Sequence, residues 1–179
     1  VNSVNDVNQK NTIVDSFMVV ARASGIPFIE GNVANFIYRG SATTVSIAGD
    51  MTGWDANIAK CTKLQGTNFF YFSQGYELNA RLDYKIVLNG SNWILDPENS
   101  RTCPGGYGPN NELAMPLYIQ PWEIKPNQNA AQFTTVTNVL HSGVLNRNFT
   151  VNILLPPGYN NSSKYYPTVY FQDGGYSLN

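Results

Sequence analysis

Between residues 8 and 23 the apolar side chains Ile13, Val14, Phe17, Met18 and Ala21 return every three or four positions, which places them on one face of an α-helix. The pattern predicts an amphipathic helix ended by Gly25 and Pro27, and such a helix has to dock on another element. Downstream the period shortens to two. Residues 36–39, 43–48, 69–73 and 83–88 are rich in aromatic and β-branched side chains, and clusters of Gly, Asn and Asp separate them. Several short strands at this spacing predict an antiparallel β-sandwich.

The stretch 99–116 contains Pro104-Gly105-Gly106 and Gly108-Pro109-Asn110-Asn111 and reads as an ordered irregular loop that closes the first domain. Residues 121–131 read as linker, followed by strands over 133–141 and 148–155. In the second of these Phe149, Val151, Ile153 and Leu155 lie on one face, with Asn148, Thr150 and Asn152 on the other. After a turn at Pro156-Pro157-Gly158, a last strand over 167–171 runs into Gln172-Asp173-Gly174-Gly175. The predicted organisation is an N-terminal helix and lead-in over 1–30, a sandwich over 31–116, and a linker with further strands over 117–179.

Composition narrows the function classes. With 42% apolar residues the 179-residue chain can bury a core, and with 11 basic against 12 acidic residues it offers no charge block for a nucleic-acid backbone or an anionic membrane. No apolar run reaches the roughly 18 residues that span a bilayer, and the start lacks the basic-then-apolar pattern of a signal peptide. Only 13% of the residues are charged while Asn, Ser, Thr, Gly and Tyr abound, which points to a secreted or periplasmic protein whose export signal is absent from this sequence. Cys61, Cys103 and the single His141 do not make a zinc site, so no metal is expected. In an oxidising compartment the two thiols can form a disulfide; free buried cysteines acting as small apolar residues account for the sequence as well.

Two clusters can carry chemistry. Glycines after a buried strand let backbone amides approach a ligand closely, so Gly174, Gly175 and Tyr176 are candidates for an oxyanion hole; on these residues alone a plain turn is the better reading. The chain has no Gly-x-Ser-x-Gly, and His141 precedes that strand rather than following it, so His141 reads as an ordinary strand or turn residue and no catalytic residue is assigned. The second cluster is Trp54, Lys85 and Trp93. Tryptophans near strand ends with a lysine between them can stack on sugar faces, but in a β-sandwich a tryptophan is more often core, and the residues alone favour core or interdomain packing.

The motifs Val45-Ser-Ile-Ala-Gly-Asp50-Met-Thr-Gly-Trp54, Arg81-Leu-Asp-Tyr-Lys85-Ile-Val-Leu-Asn-Gly90 and Trp93-Ile-Leu-Asp96-Pro97 together resemble the early-set immunoglobulin-like domain of isoamylases and glycogen-binding modules. With Phe28-Ile-Glu30-Gly31, Tyr38-Arg39-Gly40 and Gly105 to Pro116, the sequence is similar to the version of that domain fused to bacterial esterases of the enterochelin-esterase type. The resemblance continues through Leu145 to Tyr159 and Tyr166 to Gly174, which look like the opening strands of that family's catalytic domain.

The resemblance implies a mainly β, immunoglobulin-like sandwich with an N-terminal helix, followed by the first strands of an α/β-hydrolase domain. It also implies a Ser-Asp/Glu-His triad without cofactor that cleaves a carboxylic ester through an acyl-enzyme. A complete catalytic domain needs about 100 to 200 residues of its own, so the nucleophile, acid and histidine are expected beyond Asn179 and this portion is expected to be inactive. The alternative is a carbohydrate-binding module contacting glucan through Trp54, Lys85 and Trp93. Expected partners are an ester substrate of the whole protein, a glycan in the alternative, and further copies of the chain through uncovered edge strands.

Overall fold

The computed structural model describes residues 4–125, 129 and 131–172. Among these the chain is mainly β, with three sheets and one α-helix. It divides into two compact units, one ending at Gln120 and the other beginning at Pro121.

Helix α1 (Val7–Ser24) starts where the Asp6 carboxylate accepts the Gln9 N–H at 2.7 Å. It stops at Gly25, whose φ of 96° suits a residue without a Cβ. Its inward face is Val14, Met18 and Ala21, and these pack with Ile26, Ile37, Leu64 and Phe69. Fully burying each such large apolar side chain contributes about 1.5–3 kcal/mol. Ion pairs flank the docked face, Arg39 with Asp15 and Arg22 with Glu98.

The first sheet is antiparallel in the order β1 (Phe28–Glu30), β2 (Val33–Arg39), β6 (Phe69–Gly75), β5 (Thr62–Lys63). The second runs β4 (Ala59–Lys60), β3 (Val45–Gly49), β7 (Arg81–Leu88), β10 (Asn110–Ala114), β9 (Thr102–Cys103), and β8 (Asn92–Ile94) pairs with the last residues of β7. Alternation sets the faces. Ala34, Phe36 and Phe70 of the first sheet meet Ile47, Tyr84, Ile86 and Leu113 of the second in one core, with the Phe36 and Tyr84 rings edge-to-face at 4.9 Å. The two sheets therefore pack face to face, and α1 covers the opposite face of the smaller one.

The stretch 99–116, expected to be an irregular loop, contains β9 and β10. Its Gly-, Pro- and Asn-rich composition hides a strand because Asn111, fully buried, satisfies its amide internally, while Leu113 and Met115 enter the core. The unit boundary falls after Gln120 rather than at 116, since Met115 and Leu117 donate backbone hydrogen bonds to Ala80 and Leu78.

In the second unit, β11 (Thr134–Ser142) and β12 (Arg147–Leu155) form an antiparallel hairpin paired from Thr134↔Leu155 to Ser142↔Arg147. One face carries Val136, Leu140, Phe149, Val151 and Ile153. On the other, Thr137 donates to Asn152 at 2.8 Å and the His141 Nδ1 lies 2.9 Å from the Asn148 Oδ1. The strand expected over 167–171 has no ladder partner among the described residues, so only its sequence is strand-like. No helix among the described residues is long and apolar enough to cross a membrane.

Candidate functional site

The register of the larger sheet decides which candidates can act together. Because Tyr84, Ile86 and Leu88 of β7 point into the core, Asp83, Lys85 and Val87 point outward. Trp93 lies directly opposite Val87 and so shares that outer face with Lys85. Its side chain is 43% exposed. The Lys85 Nζ donates to the Tyr107 carbonyl at 3.0 Å, which holds the β9–β10 loop beside this face with the Tyr107 side chain 98% exposed. That loop turns tightly at Gly105, where a Cβ would come within 2.6 Å of the Gly108 carbonyl.

Trp54 sits elsewhere, in the turn after β3. The turn begins at Gly49, where a Cβ would meet the Asp83 carbonyl at 2.2 Å, so only glycine lets the two strands approach there. Trp54 has a φ of 64°, in the left-handed region that a bulky residue rarely adopts. Its amide donates to the Gly49 carbonyl at 2.9 Å and its indole N–H to the Asp50 Oδ1 at 3.2 Å, while the Asp50 Oδ2 accepts the Asp83 N–H at 2.8 Å. The ring is thus half-buried and fixed at the Tyr84 end of β7, whereas Trp93 pairs three residues further along, roughly 10 Å away along the strand. The structure brings Lys85 and Trp93 together and keeps Trp54 at the margin.

Beside them on the outer face runs a charged row. Arg81 pairs with Asp83 at 2.5 Å and with Glu112 at 2.9 Å, and the Asn110 amide donates to Asp83 at 3.2 Å. Burial works against the Arg81 charge, but the Glu112 hydrogen bond and the Asp83 charge prevail and hold its pKa above the usual arginine value. Beneath lies a buried network. The Tyr84 hydroxyl donates to the Asp96 Oδ2 at 2.7 Å and accepts from the Asn99 amide at 3.0 Å; Asn111 accepts the Asp96 N–H at 2.6 Å and donates to the Asn99 carbonyl at 2.9 Å. Burial pushes the Asp96 pKa up despite hydrogen bonds from the Glu98 N–H and the Tyr84 hydroxyl. With every amide and hydroxyl engaged, this network fastens the chain between β8 and β9 to β7 and β10 rather than offering a reactive group. Tyr107, the charged row and the two network asparagines escaped the sequence reading. The two-residue spacing of Arg81, Asp83 and Lys85 is the signal that would have found the row.

The disulfide between Cys61 and Cys103 is not formed: both thiols are free. Cys61 continues the β4 edge through its N–H to the Val45 carbonyl, and Cys103 lies on β9 at the opposite edge. Four strand spacings put them roughly 19 Å apart, far beyond the ~7 Å that a disulfide tolerates. Burial pushes the Cys61 thiol up to about 12 and also raises Cys103, so neither carries the thiolate a nucleophile needs. Gly174, Gly175 and Tyr176, the oxyanion-hole candidates, lie outside the described residues. No group of three or more His, Cys, Asp or Glu side chains placed to hold a metal occurs among the described residues.

No protein-family model and no curated protein sequence matches the chain. Among solved structures it is similar to the ferric enterobactin esterase of Salmonella typhimurium, at 17% identity and a TM-score of 0.51, over 67% of this chain and 40% of that one. It is also similar to the enterobactin esterase of Shigella flexneri solved in the presence of enterobactin, at 16% identity and a TM-score of 0.46, over 66% of this chain and 38% of that one. The chain thus spans about 40% of the length of the esterases it matches. At these identities the likeness is one of fold.

Proposed function

We propose that the chain is the N-terminal portion of a carboxylic-ester hydrolase, with an early-set immunoglobulin-like sandwich through about Gln120 and the opening strands of an α/β-hydrolase domain after it. The single observation that carries this reading is the fold likeness to the ferric enterobactin esterase over 67% of the chain. The face-to-face sheets and the separate hairpin β11–β12 are consistent with the same arrangement. The esterase works through an acyl-enzyme, and its serine, acid and histidine come from sequence outside residues 1–179, because no Gly-x-Ser-x-Gly occurs within them. Export to the periplasm or the exterior belongs to this reading. The test is the coding sequence after the Asn179 codon, joined to an ester-cleavage assay. A Gly-x-Ser-x-Gly followed by an acid and a histidine, with turnover by the polypeptide that includes them and none by residues 1–179, supports the proposal. A reading frame without them, or turnover by residues 1–179 alone, overturns it.

A second reading is favoured by one geometric fact: half-exposed Trp93 and partly exposed Lys85 share the outer face of the larger sheet, with Tyr107 beside them. An exposed indole, a second aromatic ring and an ammonium can stack on a pyranose and bond its hydroxyls. On this reading the sandwich binds glucan, and Trp93→Ala abolishes retardation of the protein in a glycogen-containing gel. Unretarded migration of the unaltered protein removes it.

A further inference from the structure

Between helix α1 and the outer face of the smaller sheet lies a cavity of about 340 Å³, within the range of small-molecule sites. It is distinct from the Trp93 face, and nothing in the esterase or glucan reading uses it. Four aromatic residues line it: Phe17 from the helix, Phe28 from β1, and Phe69 and Tyr71 from β6. Their rings hold one another in fixed geometry. Phe17 stands edge-on to Phe28 at 5.9 Å and to Phe69 at 6.0 Å, and Phe69 lies 6.2 Å from Tyr71.

Only one lining residue carries a charge. Glu30, at the end of β1, lines the cavity and is exposed to solvent, so it marks where the cavity meets the surface. Asn35, which also lines the cavity, is occupied: its amide donates to the Phe28 carbonyl at 3.0 Å and to the Glu30 Oε2 at 3.2 Å, and its oxygen accepts the Ser73 hydroxyl at 2.6 Å. The three cations on the same elements are engaged elsewhere, Arg22 with Glu98. Arg39 pairs with Asp15, and the Lys10 Nζ donates to the Gln65 carbonyl at 3.2 Å. The cavity therefore presents four aromatic and four aliphatic side chains, the latter Ile13, Val14, Ile37 and Leu64, and one carboxylate with acceptor capacity to spare.

We infer that this cavity is a binding site for a small organic cation, an alkylammonium or quaternary ammonium group with apolar substituents. Aromatic rings attract such a cation through the negative potential of their faces, and the Glu30 carboxylate supplies the counter-charge. Neutral apolar molecules gain the burial but neither electrostatic contribution. A phosphate or carboxylate ligand would meet Glu30 as a like charge.

The test is titration of the ¹⁵N-labelled 179-residue chain with choline and, separately, with 3,3-dimethyl-1-butanol, its uncharged isostere. Choline is expected to give saturable shifts at amides around Phe17, Phe28 and Tyr71, with an affinity at least about tenfold above that of the alcohol. Glu30→Gln, at an exposed position that leaves the core untouched, is expected to weaken choline about fivefold and leave the alcohol unchanged. Equal affinity for the two probes, saturable binding unaffected by Glu30→Gln, or no saturable shift with either probe would each overturn the inference.

Discussion

Two buried tyrosine hydroxyls on the same core have opposite fortunes. The Tyr84 hydroxyl sits between Asp96 and Asn99, donating to one and accepting from the other, while the Tyr76 hydroxyl is buried without a partner among the described residues. Burial pushes the Tyr76 pKa up to about 12, another sign of an oxygen removed from water. Because an unpaired buried hydroxyl costs about 1–3 kcal/mol, Tyr76→Phe is expected to be neutral or stabilising by about 1 kcal/mol in urea unfolding, and a loss of stability would show that the oxygen has a partner. Asp96 shows the reverse. Its folded pKa lies above the unfolded value of ~3.9, so its favourable contribution is complete below that value and is lost as pH rises through the folded pKa. Glu98, held below the usual carboxylate range by its hydrogen bond to Arg22, acts with the opposite sign, adding stability above its unfolded pKa that is lost as pH falls. Asp96→Asn isolates the first effect. A carboxamide turns an NH2 donor towards either the Glu98 N–H or the Tyr84 hydroxyl, where a carboxyl oxygen accepts, so the variant loses about 1–3 kcal/mol. That loss is expected to be larger at pH 4 than at pH 7. A loss independent of pH would mean that the Asp96 pKa is not raised.

At the scale of elements the hairpin β11–β12 is the exposed part of the chain. An isolated two-stranded hairpin is marginal in water, and this one presents Val136, Leu140 and Ile153 at 37%, 57% and 39% exposure on a single face. Neither of its edges is paired among the described residues. The 179-residue chain is therefore expected to self-associate through this hairpin, with a mass in light scattering that rises with concentration and returns to the monomer value in Ile153→Lys. A monomer at all concentrations before any substitution would remove the expectation. The two strands of the hairpin, though not their pairing, were legible in the sequence because alternation over 148–155 names an apolar face directly, and α1 was legible because Val14, Met18 and Ala21 keep the helical period. β10 was not. Its strand is Asn-Asn-Glu-Leu-Ala, and the burial of Asn111 depends on Asp96, Asn99 and Arg101, which only the folded chain brings to its amide. Lys85 and Trp93 could be named as candidates from residue type, but their shared face depends on the register of β8 against β7, which composition does not encode. The same holds for the cavity under α1, since its four rings come from three elements.

At the scale of the molecule, both core clusters are built from the first unit. The larger runs from Ile29 to Met115, and the smaller takes its residues from α1 through Tyr71. Backbone hydrogen bonds from Met115 to Ala80 and from Leu117 to Leu78 tie off the end of this unit just before the boundary after Gln120. The residues named for the Trp93 face and for the cation cavity all lie in the first unit, as do both clusters. A domain of this size buries enough apolar surface to be stable alone. A chain ending at Gln120 is accordingly expected to unfold cooperatively with a Tm within about 4 °C of the 179-residue chain, the shift that ~1 kcal/mol causes at this size. It should retain the choline-dependent shifts while losing the concentration-dependent association. A drop well beyond that margin would show that residues after Gln120 support the sandwich. Retained association would move the sticky surface away from the hairpin and onto an edge of the larger sheets, where β1, β4, β5 and β9 end the hydrogen-bonded order.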